Sequence, residues 1–245
     1  EGFTDTTDVE ALKAEINRLE DRVSKLREAA KEEAGQSARD FTGDGNRQYL
    51  TGLNLGGNRI AILIDVSASM LADSIVNVIR LRNMDSELQR SADKWQRALN
   101  TVDWLTSQLP INSQYQIIAF NTEAQPVLSG TAGKWLEVAD AAQLKAATEA
   151  LRERLPSGGT NLHGAFDAVT ALPGGPDNIF LITDGLPTQS YEPPRRTTIS
   201  GRDRLSLFRK AVQRLPSGVP VNIILAPMEG DPMAASEFWQ LAQVS

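Results

Sequence analysis

The sequence contains no cysteine and only one histidine, and both scarcities limit its chemistry. Without cysteine, the chain can form neither a disulfide nor a zinc site built on thiolates. Cysteine-free chains occur both in the cytosol and outside the cell, so the compartment stays open. A Ser-His-Asp triad would have to use His163, and no nucleophile elbow lies near it. We therefore assign His163 to a helix-start or surface role.

Phosphate-binding loops and a surplus of basic residues are also lacking. The chain has no Gly-Lys-Ser/Thr loop and no Gly-x-Gly-x-x-Gly loop, which are the common cradles for nucleotide phosphates. Its formal net charge of −6 argues against nucleic-acid binding, because such surfaces need a basic patch. No apolar run approaches the roughly 20 residues that span a bilayer. The sequence begins at Glu1 rather than Met. Membrane anchoring, periplasmic or extracellular display and a cytoplasmic location are therefore all left open.

The segment from residue 8 to residue 34 has a periodicity of its own. Apolar residues recur there at alternating spacings of three and four, which predicts a coiled-coil-like helix. In a parallel homodimer, Glu15 would face Glu20 of the partner and Arg22 would face Arg27, so like charges disfavour that pairing. Antiparallel self-association, pairing with another chain and packing on the chain's own domain are the alternatives. The apolar set is Val9, Leu12, Ile16, Leu19, Val23, Leu26 and Ala30.

Three regions follow from composition and pattern. Residues 1 to 35 are the predicted helical stalk, residues 36 to 57 a Gly-rich linker, and residues 58 to 245 a single α/β domain. Apolar, strand-like runs alternate with helical patterns in this domain, which predicts a doubly wound, mostly parallel sheet between two helix layers. A turn at residues 121 to 123 separates two strand-like runs and predicts one antiparallel edge strand. A mixed helical insertion at about residues 71 to 91 delays the next clear helix.

Oxygen-bearing side chains follow two of the predicted buried strands. Asp65, Ser67 and Ser69 form Asp-x-Ser-x-Ser after the first of these strands, and Asp184 follows the strand predicted over residues 178 to 183. Thr160 belongs to a Gly-Gly-Thr-Asn loop that opens a predicted helix. If the two strands are neighbours, all three loops emerge at the same edge of the sheet. Hard oxygen ligands of this kind suit Mg²⁺, Mn²⁺ or Ca²⁺ rather than Zn²⁺.

This set resembles the metal-ion-dependent adhesion site of the von Willebrand factor A domain, also called the integrin I-like domain. The resemblance covers about residues 58 to 245. It implies a strand order of 3-2-1-4-5-6, which places the strands before the two aspartates side by side. It also implies that Ser67, Ser69 and Thr160 contact Mg²⁺ directly, whereas Asp65 and Asp184 act through water or hydroxyl contacts. An acidic side chain of a partner protein would be the sixth ligand.

The charge count supports a binding role independently of that resemblance. Two carboxylates balance one divalent cation, and neutral hydroxyls complete only part of its shell, so the cation can accept a carboxylate from outside. We expect a non-enzymatic module for metal-dependent adhesion or assembly, whose protein partner exposes an Asp or a Glu. The alternatives are a Mg²⁺-dependent hydrolase that uses Asp65 and Asp184, and a metal-free structural scaffold. Arg195 and Arg196 lie in a loop expected near the site and are candidate contacts for acidic surface on the partner.

Overall fold

The computed structural model describes residues 56 to 193 and 198 to 245, together with Arg18, Arg22 and Lys25. These three residues are helical and exposed, and their spacings of four and three place them on one helix face. The predicted apolar seam of the stalk and its pairing lie outside the described residues, as does most of the predicted linker. The chain divides into two compact units, Glu1–Ser37 and Ala38–Ser245.

A six-stranded sheet forms the centre of the described part of the second unit. The strands are β1 (Arg59–Asp65), β2 (Gln114–Phe120), β3 (Ala124–Pro126), β4 (Leu136–Glu137), β5 (Asn178–Thr183) and β6 (Val221–Leu225). The strand order is β3-β2-β1-β5-β6, and β4 also pairs with β2. Four of the strands run parallel, whereas β3 and β4 both run antiparallel to β2. The predicted fold class is confirmed, and β4 is an addition that the sequence pattern did not predict.

Helices cover both faces of this sheet because the side chains of β1 alternate between two apolar cores. The helices of the described ranges are a 3-10 helix (Ala68–Leu71), α1 (Ile75–Leu81), α2 (Ser86–Arg90), α3 (Asp93–Ser107), α4 (Ala141–Arg152), α5 (Leu162–Thr170), α6 (Gly201–Val212) and α7 (Ala234–Val244). Ile62 and Ile64 pack in a core with α3 and α4, whereas Leu63 packs in a second core with α5, α6 and α7. None of the helices in these ranges is long and apolar enough to cross a membrane.

The insertion folds as two short helices, α1 and α2, rather than as one helical stretch. Asp85 ends the turn between α1 and α2. It caps α2, because its side chain accepts a 2.9 Å hydrogen bond from the Leu88 N–H. Three apolar side chains of α1, those of Ile75, Val76 and Ile79, are more than half exposed. The insertion therefore adds an apolar surface to the domain without contributing these side chains to a core.

Candidate metal centre

The candidate site lies at the carboxyl ends of β1 and β5, which are parallel neighbours. Ile64 of β1 pairs in register with Ile182 of β5, so both chains leave the sheet at the same edge. Asp65 is the last residue of β1 and Asp184 follows the end of β5. Both aspartates are buried. The topology therefore brings together the two carboxylates that the sequence separates by more than a hundred residues.

Asp65 organises the loop that follows β1. Its Oδ1 accepts a 2.8 Å hydrogen bond from the Ser67 N–H, and its Oδ2 accepts a 2.9 Å hydrogen bond from the Thr183 hydroxyl. The first contact is a local side-chain-to-backbone turn of the kind that aspartate favours. Because both oxygens of Asp65 are engaged within the fold, its carboxylate holds the loop in position.

The two serines of the motif connect this loop to Asp184. The Ser67 and Ser69 hydroxyl oxygens are 2.9 Å apart, within hydrogen-bond distance. The Ser69 hydroxyl donates to Asp184 Oδ1 at 3.1 Å. Three oxygen atoms from two loops are thereby contiguous. Because Ser69 gives its single proton to Asp184, the Ser67 hydroxyl is the donor to Ser69, and one lone pair of the Ser69 oxygen remains available to a cation.

The loop that carries Thr160 is fastened to the loop after β1 by backbone hydrogen bonds. The Ala68 N–H donates to the Gly158 carbonyl at 3.1 Å, and the Ser157 N–H donates to the Val66 carbonyl at 2.8 Å. Gly158 has a φ of +75°, a left-handed conformation that favours glycine. Thr160 is buried beside these contacts. The structure therefore places the five predicted site residues at the end of β1 and in three loops that are joined by hydrogen bonds.

Thr188, which the sequence reading did not single out, fixes the backbone of Thr160. Its hydroxyl accepts a 2.9 Å hydrogen bond from the Thr160 N–H, while its own N–H donates to the Thr160 carbonyl at 2.9 Å. A Cβ atom at Gly159 would lie 2.7 Å from the Thr188 hydroxyl oxygen, so this close approach requires glycine. The second glycine of the Gly-Gly-Thr-Asn loop is thus explained by packing against Thr188.

Lys94 is the most consequential residue that the sequence reading missed. It lies in the first turn of α3, and its side chain is only 1% exposed, so its charge is held inside the protein. Its ammonium nitrogen lies 2.8 Å from Asp184 Oδ2 and also donates to the carbonyls of Ser69 and Ala72. These contacts use all three donors of the ammonium group. A lysine in the first turn of an amphipathic helix usually reaches solvent, so the pattern gave no signal of this role.

The electrostatics of the site show a shortage of positive charge. Burial, and next the charge of Asp184, raise the pKa of Asp65 from 3.8 to about 7, although hydrogen bonds from Ser67 and Thr183 act in the opposite direction. Of these two buried carboxylates, Asp184 pairs with the Lys94 ammonium group, whereas Asp65 accepts only from an N–H and a hydroxyl. A divalent cation would relieve this imbalance, and the donors are all hard oxygens. In the part of the chain that is described, no group of three or more His, Asp or Glu side chains could hold a metal ion, so a cation here would depend on the hydroxyls.

The remaining sequence-based candidates are two arginines and the single histidine. Arg195 and Arg196 fall in residues 194 to 197, outside the described residues, so their role as partner contacts stays a prediction. His163 is the second residue of α5, as expected for a helix start, but the alternative of a surface role is wrong because only 6% of the residue is exposed. The ring of His163 lies 6.3 Å from that of Tyr191, centroid to centroid.

Comparisons with known proteins assign the chain to a family. A family model described as the von Willebrand factor type A domain matches residues 60–186, more than half of the chain and a range that contains all five candidate ligand residues. No curated protein matches the sequence.

Solved structures with a similar fold include a von Willebrand factor type A protein from Catenulispora acidiphila, with 18% identity over 77% of this chain and 42% of that one, at a TM-score of 0.46. The PilB minor pilin from Streptococcus sanguinis is 18% identical over 80% of this chain and 56% of its own, at a TM-score of 0.46. The pilus adhesin SpaC from Lactobacillus rhamnosus GG is 16% identical over 78% of this chain and 28% of its own, at a TM-score of 0.43. The chain therefore spans about half or less of the length of these proteins. With more than half of its residues matched by the family model, it belongs to the von Willebrand factor type A domain family.

Proposed function

We propose that this chain is a metal-dependent protein-binding module that takes a carboxylate of a partner protein as a ligand to a divalent cation. One observation carries the proposal: three loops joined by hydrogen bonds at one sheet edge bring together two buried carboxylates, the linked hydroxyls of Ser67 and Ser69, and the buried Thr160, where positive charge is in deficit. Mg²⁺ is the expected cation, and Mn²⁺ or Ca²⁺ suits the same donors. The Ser67, Ser69 and Thr160 hydroxyls would hold the cation, and Asp65 and Asp184 would orient the shell.

The contacts of the two aspartates support this division of roles. Asp65 already accepts from the Ser67 N–H and the Thr183 hydroxyl, and Asp184 already accepts from Ser69 and pairs with Lys94. Carboxylates held in this way orient ligands rather than dominate the shell. A cation bound mainly by neutral oxygens supplies an electrophilic position that an outside carboxylate can occupy.

The same contacts disfavour the hydrolase alternative. A nucleophilic or basic aspartate must reach a substrate, yet Asp65 is fully buried and both of its oxygens accept hydrogen bonds within the fold. A metal-free scaffold would keep two buried carboxylates beside one ammonium group, with no cation to compensate the remaining negative charge. Metal-dependent turnover of phosphate or ester substrates would support the hydrolase, and a partner retained in EDTA would support the scaffold.

The test is a Mn²⁺ titration followed by electron paramagnetic resonance on wild type, Ser67→Ala and Ser69→Ala. We expect one saturable site in the wild type and a loss of at least about tenfold in affinity in each variant, since each substitution removes an oxygen ligand. Ser113→Ala is the matched control, because the Ser113 hydroxyl is also buried but bonds to the Pro110 carbonyl before β2, at the opposite edge of the sheet. Mn²⁺ affinity that is equal in all four proteins, or no saturable binding in the wild type, would overturn the proposal.

A further inference from the structure

Lys94 is a buried cation built into the candidate metal site. Its ammonium group touches Asp184 Oδ2 at 2.8 Å and the carbonyl of Ser69 at 3.1 Å, so it contacts one orienting carboxylate and one candidate ligand residue. Its third contact, at 3.2 Å, is the carbonyl of Ala72, where the insertion begins. The side chain is 1% exposed, so water does not screen its charge from the site.

We propose that Lys94 sets the charge balance of the candidate metal site. Its positive charge lowers the affinity of the site for the cation and raises the affinity of the cation-loaded site for an anionic ligand. This inference rests on the proposed function. Asp65, Asp184 and Lys94 together carry a charge of −1 when both carboxylates are ionised. A divalent cation changes the total to +1, and one carboxylate from a partner then makes the site neutral. Without Lys94, the loaded site would be neutral before the partner arrived, and the complex would bury a net negative charge, which is costly.

The position of Lys94 makes this effect large. One oxygen of Asp184 contacts Lys94 and the other accepts from the Ser69 hydroxyl, so a cation held by Ser69 would be close to the Lys94 ammonium group. Charges only a few ångströms apart in a protein interior interact strongly enough to change an affinity by more than about tenfold. The effect on the metal and the effect on the anionic ligand have opposite signs, because one is a cation and the other an anion. Replacing a residue that only supported the loop would weaken the affinity for the metal and the affinity for the anionic ligand together.

Burial distinguishes the ion pair of Lys94 from that of Arg97, the other basic residue at this end of α3. Arg97 lies three residues further along and pairs with Asp73 at 3.0 Å, but both side chains are more than half exposed. Exposed ion pairs are screened by water and contribute little. Arg97→Gln therefore removes the same charge from the same helix without changing the buried balance, which makes it a matched control.

The experiment measures Mn²⁺ affinity by electron paramagnetic resonance, and acetate affinity at saturating Mn²⁺ by water-proton relaxation, on Lys94→Gln, Lys94→Met, Lys94→Arg and Arg97→Gln. We expect the two neutral variants at Lys94 to bind Mn²⁺ at least about tenfold more tightly than the wild type and acetate at least about threefold more weakly. Lys94→Arg, which keeps the charge, and Arg97→Gln should each stay within about threefold of the wild type in both measurements.

The possible outcomes separate this inference from the proposed function. Mn²⁺ binding in the wild type that is unchanged or weaker in both neutral variants would overturn the role of Lys94 alone. Saturable binding only in the neutral variants would support that role and overturn metal binding by the wild type, whereas binding in none of the proteins would overturn both ideas. The neutral variants leave Asp184 buried without an ammonium partner, so thermal unfolding is recorded with and without Mn²⁺. Restored folding in Mn²⁺ is expected, and failure to fold at any Mn²⁺ concentration would also overturn the inference.

Discussion

Replacing Asp65 by asparagine should stabilise the metal-free protein at slightly alkaline pH, although it removes a candidate metal-site residue. The Asp65 carboxyl is fully buried, and burial together with the charge of Asp184 raises its pKa from 3.8 to about 7. Ionising it therefore costs more in the folded chain than in the unfolded chain. The amide of asparagine keeps an oxygen that can accept from the Ser67 N–H, and its NH₂ group can donate to the Thr183 hydroxyl.

The magnitude follows from the size of the shift. Roughly three pKa units at about 1.4 kcal/mol each correspond to about 4 kcal/mol. Because the pKa of Asp65 is higher in the folded chain than in the unfolded chain, protonated Asp65 stabilises the wild-type fold fully below about pH 4. This contribution to the free energy of unfolding is lost as the pH rises through about 7. In EDTA at about pH 8, Asp65→Asn should therefore be more stable than the wild type by about 2 to 4 kcal/mol, the lower figure allowing for relaxation of the site. The advantage should shrink towards zero near pH 4.

Urea unfolding in EDTA, repeated across this pH range, measures the difference in the free energy of unfolding. Asp140→Asn is the control, because Asp140 is exposed and caps α4 through the Gln143 N–H, a role that asparagine fills equally well. Mg²⁺ should remove the advantage of Asp65→Asn, since the cation neutralises the wild-type carboxylates. A destabilised Asp65→Asn at pH 8, or a difference that does not change with pH, would refute the reasoning.

Three further predictions concern the surroundings of the site. Asp184→Asn should destabilise the metal-free protein by about 3 to 5 kcal/mol in urea unfolding, because it leaves Lys94 buried without its anionic partner. Thr188→Val should cost about 1 to 3 kcal/mol and weaken Mn²⁺ binding, since the Thr160 N–H loses its acceptor, whereas Thr188→Ser should retain both properties. Burial lowers the pKa of His163 below 6.5, so stability should be present above that pH and fall as the pH drops through it. A titration of the single imidazole by nuclear magnetic resonance with a midpoint at or above 6.5 would contradict the last prediction, as would an unchanged acid slope in His163→Gln.

The sequence by itself determined the central strands and the loops that carry the candidate site, although not the short strand β4. The patterns over residues 114 to 120 and 178 to 183 coincide with β2 and β5. In both strands the residues before the carboxyl end are continuously apolar, as expected for strands buried on both faces, although β2 also buries Gln116. Adjacent parallel strands then bring Asp65 and Asp184 to one edge. The assignment of the five oxygen-bearing residues to one site therefore followed from local pattern and topology, while their role as metal ligands stays a prediction.

Only the tertiary structure decided the charge of that site. Lys94 and Asp184 are separated by 90 residues, and no periodicity reports that the ammonium turns inward to meet the carboxylate. The raised pKa of Asp65 likewise depends on complete burial, which arises when several elements pack over it. Hydrophobic patterns record which face of an element is buried, but the pairing of charges depends on contacts between elements that are distant in the chain. For that reason the sequence indicated which oxygen atoms gather at the sheet edge, and the fold determined how many charges they must balance.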